Sequence, residues 1–224
     1  MGRFVVKKYK AVIMDFDLTI ADTADVIEEC LYSHALHFGY DLDRKIIRAG
    51  IGMKAADIYR SAGIRDEQQL KVIHDSYDDY ATDIMIAKTK FFPGVVEGIA
   101  ALHEKGVLFA VLSLKVSSHI WTPLKQNGLD KYIHSVIGLG DIEHGKPHPE
   151  GIYVLAQRLG VELEDVLYVG DSLTDQQTAE AAGVDFGAVC TGAFGAEDFA
   201  KKPFAGIYTD FAALCAELYA ALDA

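Results

Sequence analysis

Four short stretches of this chain carry side chains that together could transfer a phosphoryl group. They are Asp15-Phe16-Asp17-Leu18-Thr19, Ser113, Lys146 ahead of Pro147, and Gly170-Asp171-Ser172 with Asp175. Transfer through an aspartyl-phosphate needs a carboxylate nucleophile, a second carboxylate close by, a hydroxyl, an ammonium and a further acidic pair. Each stretch also has a plain reading. An acid-x-acid-x-Thr string commonly forms a turn or cap, and Thr19 or Asp22 could cap a helix that begins near Ala24. Taken singly, Lys146 reads as a solvated loop lysine, Ser113 as a strand-end hydroxyl bonded to backbone, and Asp175 as an acid at a helix N-terminus. Order and placement decide between the two readings.

The elements that must position these residues alternate between strand and helix, which predicts a parallel sheet covered on both faces. Continuous apolar runs at Ala11 to Met14, Val107 to Leu112, Val136 to Ile137, Val166 to Val169 and Ala188 to Cys190 read as buried parallel strands. Between them, Val95, Ile99 and Leu102 ahead of Gly106, and Ile152, Leu155 and Leu159 ahead of Gly160, recur at helical spacing and stop at glycine. Asp15 and Asp17 follow the first strand, and residues two apart in extended chain project to one side. Ser113 and Asp171 follow two other strands. In an open parallel sheet the carboxyl edge is where ligands bind, so the motifs should meet there.

Residues 22–90 break this rhythm, with helical pattern and no convincing strand, and are expected to form an inserted helical domain on a core of residues 1–21 and 91–224. Val26, Ile27, Cys30, Leu31 and Phe38 make one apolar face ending at Gly39; Leu70, Ile73, Tyr77 and Tyr80 make another. Pro93-Gly94 marks the return to the core.

Composition narrows the function classes. The 21 Lys plus Arg against 33 Asp plus Glu give a formal charge of -12, which repels polyanions and argues against nucleic acid as a partner. The longest apolar runs fall far short of the roughly 18 residues of a membrane span, and Lys7, Lys8 and Lys10 lead into a short strand rather than a targeting segment. Cys30, Cys190 and Cys215 have no paired spacing and read as reduced thiols in a cytoplasmic protein. His144 and His148 flank Lys146 without a third soft ligand, so they read as surface or supporting groups and not a metal site. Trp121, Tyr77 and Tyr80 read as packing residues.

The stretches Phe92-Pro93-Gly94-Val95, Gly145-Lys146-Pro147-His148-Pro149 and Gly170-Asp171-Ser172 to Asp175, with Asp15-x-Asp17, resemble the haloacid dehalogenase superfamily over nearly the whole chain. The helical insert resembles its phosphoglycolate phosphatase-like branch. The resemblance implies an α/β fold with a Rossmann-like parallel sheet and a helical cap, and it implies roles. Asp15 would attack phosphorus, Asp17 would protonate the leaving oxygen and later activate water, and Mg2+ would be held by Asp15, the Asp17 backbone carbonyl and Asp171. Lys146 would neutralise phosphate, Asp175 would orient Lys146 or a metal-bound water, and Ser113 with the Leu114 amide would hold a phosphate oxygen. Two positions depart from the family pattern: Leu18 stands where many members have glycine, and Leu114 where many have asparagine.

Specificity is expected in the insert, which in this family closes over the site. Within Arg48-Ala49-Gly50-Ile51-Gly52-Met53-Lys54, the glycines would permit close approach, and Arg48 or Lys54 could meet a second anion. An ordinary turn with solvated basic residues is the competing reading. The expected activity is a phosphatase acting on a small phosphorylated metabolite such as phosphoglycolate, a sugar phosphate or pyrophosphate, in a monomer or homodimer. A phosphomutase of the beta-phosphoglucomutase type is the alternative, disfavoured by Met53 where those mutases present a basic residue. A non-catalytic metabolite-binding protein is the third reading.

Overall fold

Ala11–Met14 forms the first strand, β1, with all four side chains fully buried. The computed structural model describes residues 7–199 and 205–223; residues 1–6, 200–204 and 224 of the expected core lie outside the described residues. After β1 come β2 (Ala21–Asp22), α1 (Ala24–His37), α2 (Arg44–Ala49), α3 (Ala55–Ser61), α4 (Glu67–Lys88) and β3 (Lys90–Phe91). The chain continues through α5 (Val95–Glu104), β4 (Leu108–Leu112), α6 (Ser117–Gln126), β5 (Ile133–Ile137), α7 (Glu150–Leu159) and β6 (Val166–Gly170). It ends with α8 (Leu173–Ala182), β7 (Asp185–Val189), α9 (Ala196–Phe199), β8 (Gly206–Tyr208) and α10 (Phe211–Asp223).

The main sheet runs β5-β4-β1-β6-β7-β8, with every pairing parallel. Its central strand explains the continuous apolar runs. Val12 and Met14 face a cluster with Ile99 of α5, Leu124 of α6 and Leu214 of α10, while Ala11 and Ile13 face Leu155 of α7 and Ala179 of α8. Neither face meets water, so neither needs polar residues. Gly160 ends α7 in the left-handed region, at φ 69°, where a side chain would be strained.

Strand bounds differ from the sequence reading where polar residues interrupt the pattern. β5 starts at Ile133 because His134 and Ser135 sit in the strand, and β7 starts at Asp185 and ends before Cys190. The short strands β2, β3 and β8 leave no trace in the sequence pattern, since two or three residues carry no periodicity.

Helices α1 to α4 lie between β2 and β3, a two-residue antiparallel pair (Ala21 with Phe91, Asp22 with Lys90) that brings the chain out of the core and back at one place. These helices share their own apolar cluster, including Ile27, Leu31, Ile58, Tyr59, Ile73 and Met85. Tyr77 is partly buried there and Trp121 packs on the core, whereas Tyr80 is exposed. The three cysteines form no disulfide, and burial pushes the Cys30 thiol up to about 11 and Cys215 up to about 12. Among the described residues no helix is long and apolar enough to cross a membrane.

Candidate active site

Because β4, β1 and β6 are neighbours, the residues that follow them are neighbours too. Asp15 follows β1 and donates its backbone N–H to the Val169 carbonyl of β6 at 2.9 Å; Ser113 follows β4 and donates to Ile137 of β5 at 3.0 Å. Asp15, Ser113, Lys146, Asp171 and Asp175 are all buried.

Lys146 ties two acids together. Its Nζ lies 3.0 Å from Asp15 Oδ2 and 2.7 Å from Asp175 Oδ1. Asp175 is itself fixed from several sides: Oδ1 accepts from the Tyr168 hydroxyl at 2.9 Å, and Oδ2 accepts from the Ser172 amide at 3.2 Å and from its hydroxyl. Ser172 in turn accepts the Asp175 N–H, closing a capping box on α8. Asp175 is therefore both a helix cap and the group that aims Lys146. Its oxygens are fully engaged, and a side chain at Gly170 would collide with it.

Asp171 accepts a hydrogen bond from the Thr19 hydroxyl at 3.1 Å. Thr19 thus caps no helix; it orients a carboxylate. Thr23 precedes α1, yet its hydroxyl donates to Asp17 Oδ1 at 2.8 Å and makes no side-chain cap bond to the helix.

Oxygens of Asp15, Asp171 and Asp175 lie within 4.8 Å of one another. Burial pushes the Asp15 carboxyl up to about 6, the negative Asp175 and Asp17 push the same way, and Lys146 opposes them. Asp171 is raised well above the usual carboxylate range, first by burial and then by Asp175 and Asp15. For Lys146, burial works against its charge, but Asp15 and Asp175 outweigh it and hold the ammonium above an ordinary lysine. One ammonium leaves this group short of positive charge. With Asp175 engaged by hydrogen-bond donors, Asp15 and Asp171 present hard oxygen atoms that suit a small divalent cation, so the cluster could bind a metal.

Lys115 is the main site residue that motif reading missed. Its Nζ reaches both oxygens of Asp17, at 2.8 and 3.0 Å, across 98 residues of sequence. Its backbone N–H points at Ser113 Oγ at 3.4 Å. The available signal was its position two residues after Ser113 on the same loop.

Asp15, Asp17, Ser113, Leu114, Lys115 and Lys146 line a cavity of about 440 Å³ between the sheet edge and the helical insert. Of the insert loop proposed from sequence, the second half, Ile51, Gly52, Met53 and Lys54, lines it, whereas Arg48 and Gly50 do not. Arg48 is turned elsewhere, because Asp25 and Glu28 of α1 hold its guanidinium at 2.7 and 2.9 Å. Gly50 closes α2 against Ile58, where an added Cβ would sit 3.0 Å from the Ile58 side chain, so it serves packing and not substrate. Leu114 leans on Gly145. His144, His148 and Glu150 group on the surface, where Glu150 accepts from the His144 ring at 3.0 Å and from the His144 amide at 2.9 Å.

A parallel sheet with two acids at the end of its central strand, a lysine on a neighbouring loop, a second acidic pair where β6 leads into α8, and helices roofing them, defines a hydrolase of the haloacid dehalogenase type. The family model for haloacid dehalogenase-like hydrolases matches residues 12–189, and the chain belongs to that family. It is similar to a phosphoglycolate phosphatase of Salmonella typhi, 32% identical over 73% of this chain and 62% of that protein. The chain thus aligns with under two thirds of the length of this curated relative. A solved haloacid dehalogenase-like hydrolase from Bacteroides fragilis superposes with TM-score 0.87 at 32% identity, covering 92% of this chain and 100% of that one. A phosphonoacetaldehyde hydrolase-like protein of Oleispira antarctica shares the fold, with TM-score 0.79 at 15% identity over 99% of this chain and 96% of its own. The scaffold alone does not choose the substrate.

Proposed function

We propose that this chain is a magnesium-dependent phosphatase that hydrolyses a small phosphorylated metabolite through an aspartyl-phosphate on Asp15. The observation that carries this reading is Asp15 buried at the carboxyl end of the central strand with the Lys146 ammonium 3.0 Å away. Similarity to phosphoglycolate phosphatases supports the same chemistry.

A carboxylate oxygen of Asp15 attacks phosphorus while the bond to the leaving oxygen breaks, and Asp17 gives that oxygen its proton. Water then attacks phosphorus of the mixed anhydride, Asp17 takes the proton, and Asp15 is regenerated with release of inorganic phosphate. Lys146, aimed by Asp175, stabilises charge on the phosphoryl oxygens, and Ser113 with the Leu114 amide holds one of them. Mg2+ held by Asp15, Asp171 and the Asp17 backbone carbonyl would screen the anionic nucleophile from the anionic phosphate. Residues 22–90 would act as the cap that excludes water. The unpaired thiols support a reducing, cytoplasmic setting.

The test is phosphate release from a panel of phosphorylated metabolites with and without Mg2+. Asp15→Asn should abolish release with the fold intact, and Asp17→Asn should slow turnover or trap the phosphoenzyme. Near wild-type rates from both variants would overturn the assignment. An isomerised sugar phosphate without phosphate release would point to a mutase.

A further inference from the structure

The cavity contains a second buried cation that the mechanism above does not use. Lys115 and Asp17 have side-chain exposures of only 7% and 13%, and Lys115 with Thr23 places three donor contacts on the Asp17 carboxylate. Thr23 and Lys115 together take both lone pairs of Asp17 Oδ1, and Lys115 also holds Oδ2, so a leaving oxygen must compete with the ammonium for this carboxylate. In this arrangement Asp17 is held and not presented.

A buried ammonium gives up its anion only for another anion, because loss of the partner leaves its charge uncompensated. The other groups beside Lys115 Nζ are poor substitutes: the Met85 sulfur at 3.9 Å and the Phe16 ring at 5.9 Å. A neutral hydroxyl would be a poor substitute too. Lys146 lies on the Asp15 side, where the phosphoryl group must sit, whereas Lys115 lies on the Asp17 side, where the leaving group must sit.

We propose that Lys115 is a specificity-determining residue: a second anionic group on the leaving part of the phosphomonoester takes Lys115 from Asp17, and this exchange turns an oxygen of Asp17 toward the leaving oxygen. The favoured substrate is a phosphorylated small acid, with a carboxylate or second phosphate close to the ester oxygen. The rest of the lining mixes apolar Ile27, Leu31, Ile58, Ala81 and Met85 with His74, Tyr77 and Asp78 of α4, so the choice between an anionic and a neutral leaving group falls on Lys115 and not on the wall. The inference rests on the phosphatase reading, and its test separates the two.

The experiment compares kcat and KM of wild type, Lys115→Met, Lys115→Gln and Lys115→Arg on a matched pair, phosphoglycolate and 2-hydroxyethyl phosphate, with p-nitrophenyl phosphate as a third substrate. Wild type should prefer the acid by at least about 30-fold in kcat/KM. In both neutral variants that preference should fall to within about threefold through kcat as well as KM, and Lys115→Arg should restore part of it. Circular dichroism identifies the folded variants. A wild type without the preference, or a folded neutral variant that keeps it, overturns the role of Lys115 while the phosphatase stands. No release from any of the three compounds by wild type overturns the phosphatase reading itself.

Discussion

Lys146 shows how one side chain can hold a site together before any substrate arrives. It stands between two buried acids, 3.0 Å from Asp15 and 2.7 Å from Asp175, with a side-chain exposure of 2%. A pair on the surface would contribute little, but here neither acid has water to fall back on. Removing one partner of a buried ion pair costs about 3–5 kcal/mol because the remaining charge is stranded. Lys146→Met is therefore expected to lower unfolding free energy by about 3 kcal/mol in a urea titration and to abolish phosphate release. A loss below about 1 kcal/mol would mean that the acids find another counter-charge.

At the scale of elements, the join between insert and core runs through Leu18. This residue occupies the left-handed region at φ 59°, the only described non-glycine to do so, in a position where many family members have glycine. The conformation costs roughly 1–2 kcal/mol for a residue with a Cβ. What holds it is burial: Leu18 is 6% exposed and packs in the insert cluster with Val26, Ile27 and Ile51. Its carbonyl also accepts from the Thr191 hydroxyl, so the loop is tied on the core side too. Burying a leucine contributes about 1.5–3 kcal/mol, and glycine in its place adds flexibility to the unfolded chain. The two terms outweigh the relief of strain. Leu18→Gly is expected to lower stability by about 1–2 kcal/mol and to speed amide hydrogen exchange in α1 to α4 more than in β1, β4 and β6. Uniform exchange across both parts would argue against Leu18 as the tie.

For the whole molecule, the distribution of negative charge sets the response to pH and cation. Asp15 is raised from 3.8 to about 6, first by burial, so between those values the folded chain binds more protons than the unfolded one. Stability should then decline as pH rises through that window, with the Asp15 share of the loss complete above about 6; Asp171, also raised by burial, acts in the same direction. A divalent cation binds the ionised carboxylates and reverses the loss. The Tm gain from Mg2+ is therefore expected to be larger at pH 7.5 than at pH 5, as measured by calorimetry on the Asp15-containing protein and on Asp171→Asn. Equal gains at both pH values, or an undiminished gain in Asp171→Asn, would place the cation elsewhere.

The sequence by itself determined the frame of the site. Strands buried on both faces must be apolar throughout, so β1, β4 and β6 were legible, and chemistry placed just after them has to converge because parallel neighbours end at the same edge. Asp15, Asp17, Ser113 and Asp171 could be grouped for that reason alone, and Lys146 and Asp175 joined them by motif. The tertiary structure decided who holds whom. Thr19 on Asp171, Thr23 on Asp17 and Lys115 on Asp17 are choices among competing partners on separate loops, as is the capture of Arg48 by Asp25 and Glu28. No periodicity encodes such choices. They depend on distance and desolvation, which exist only once the loops at the sheet edge, and the helices of the insert among themselves, are packed.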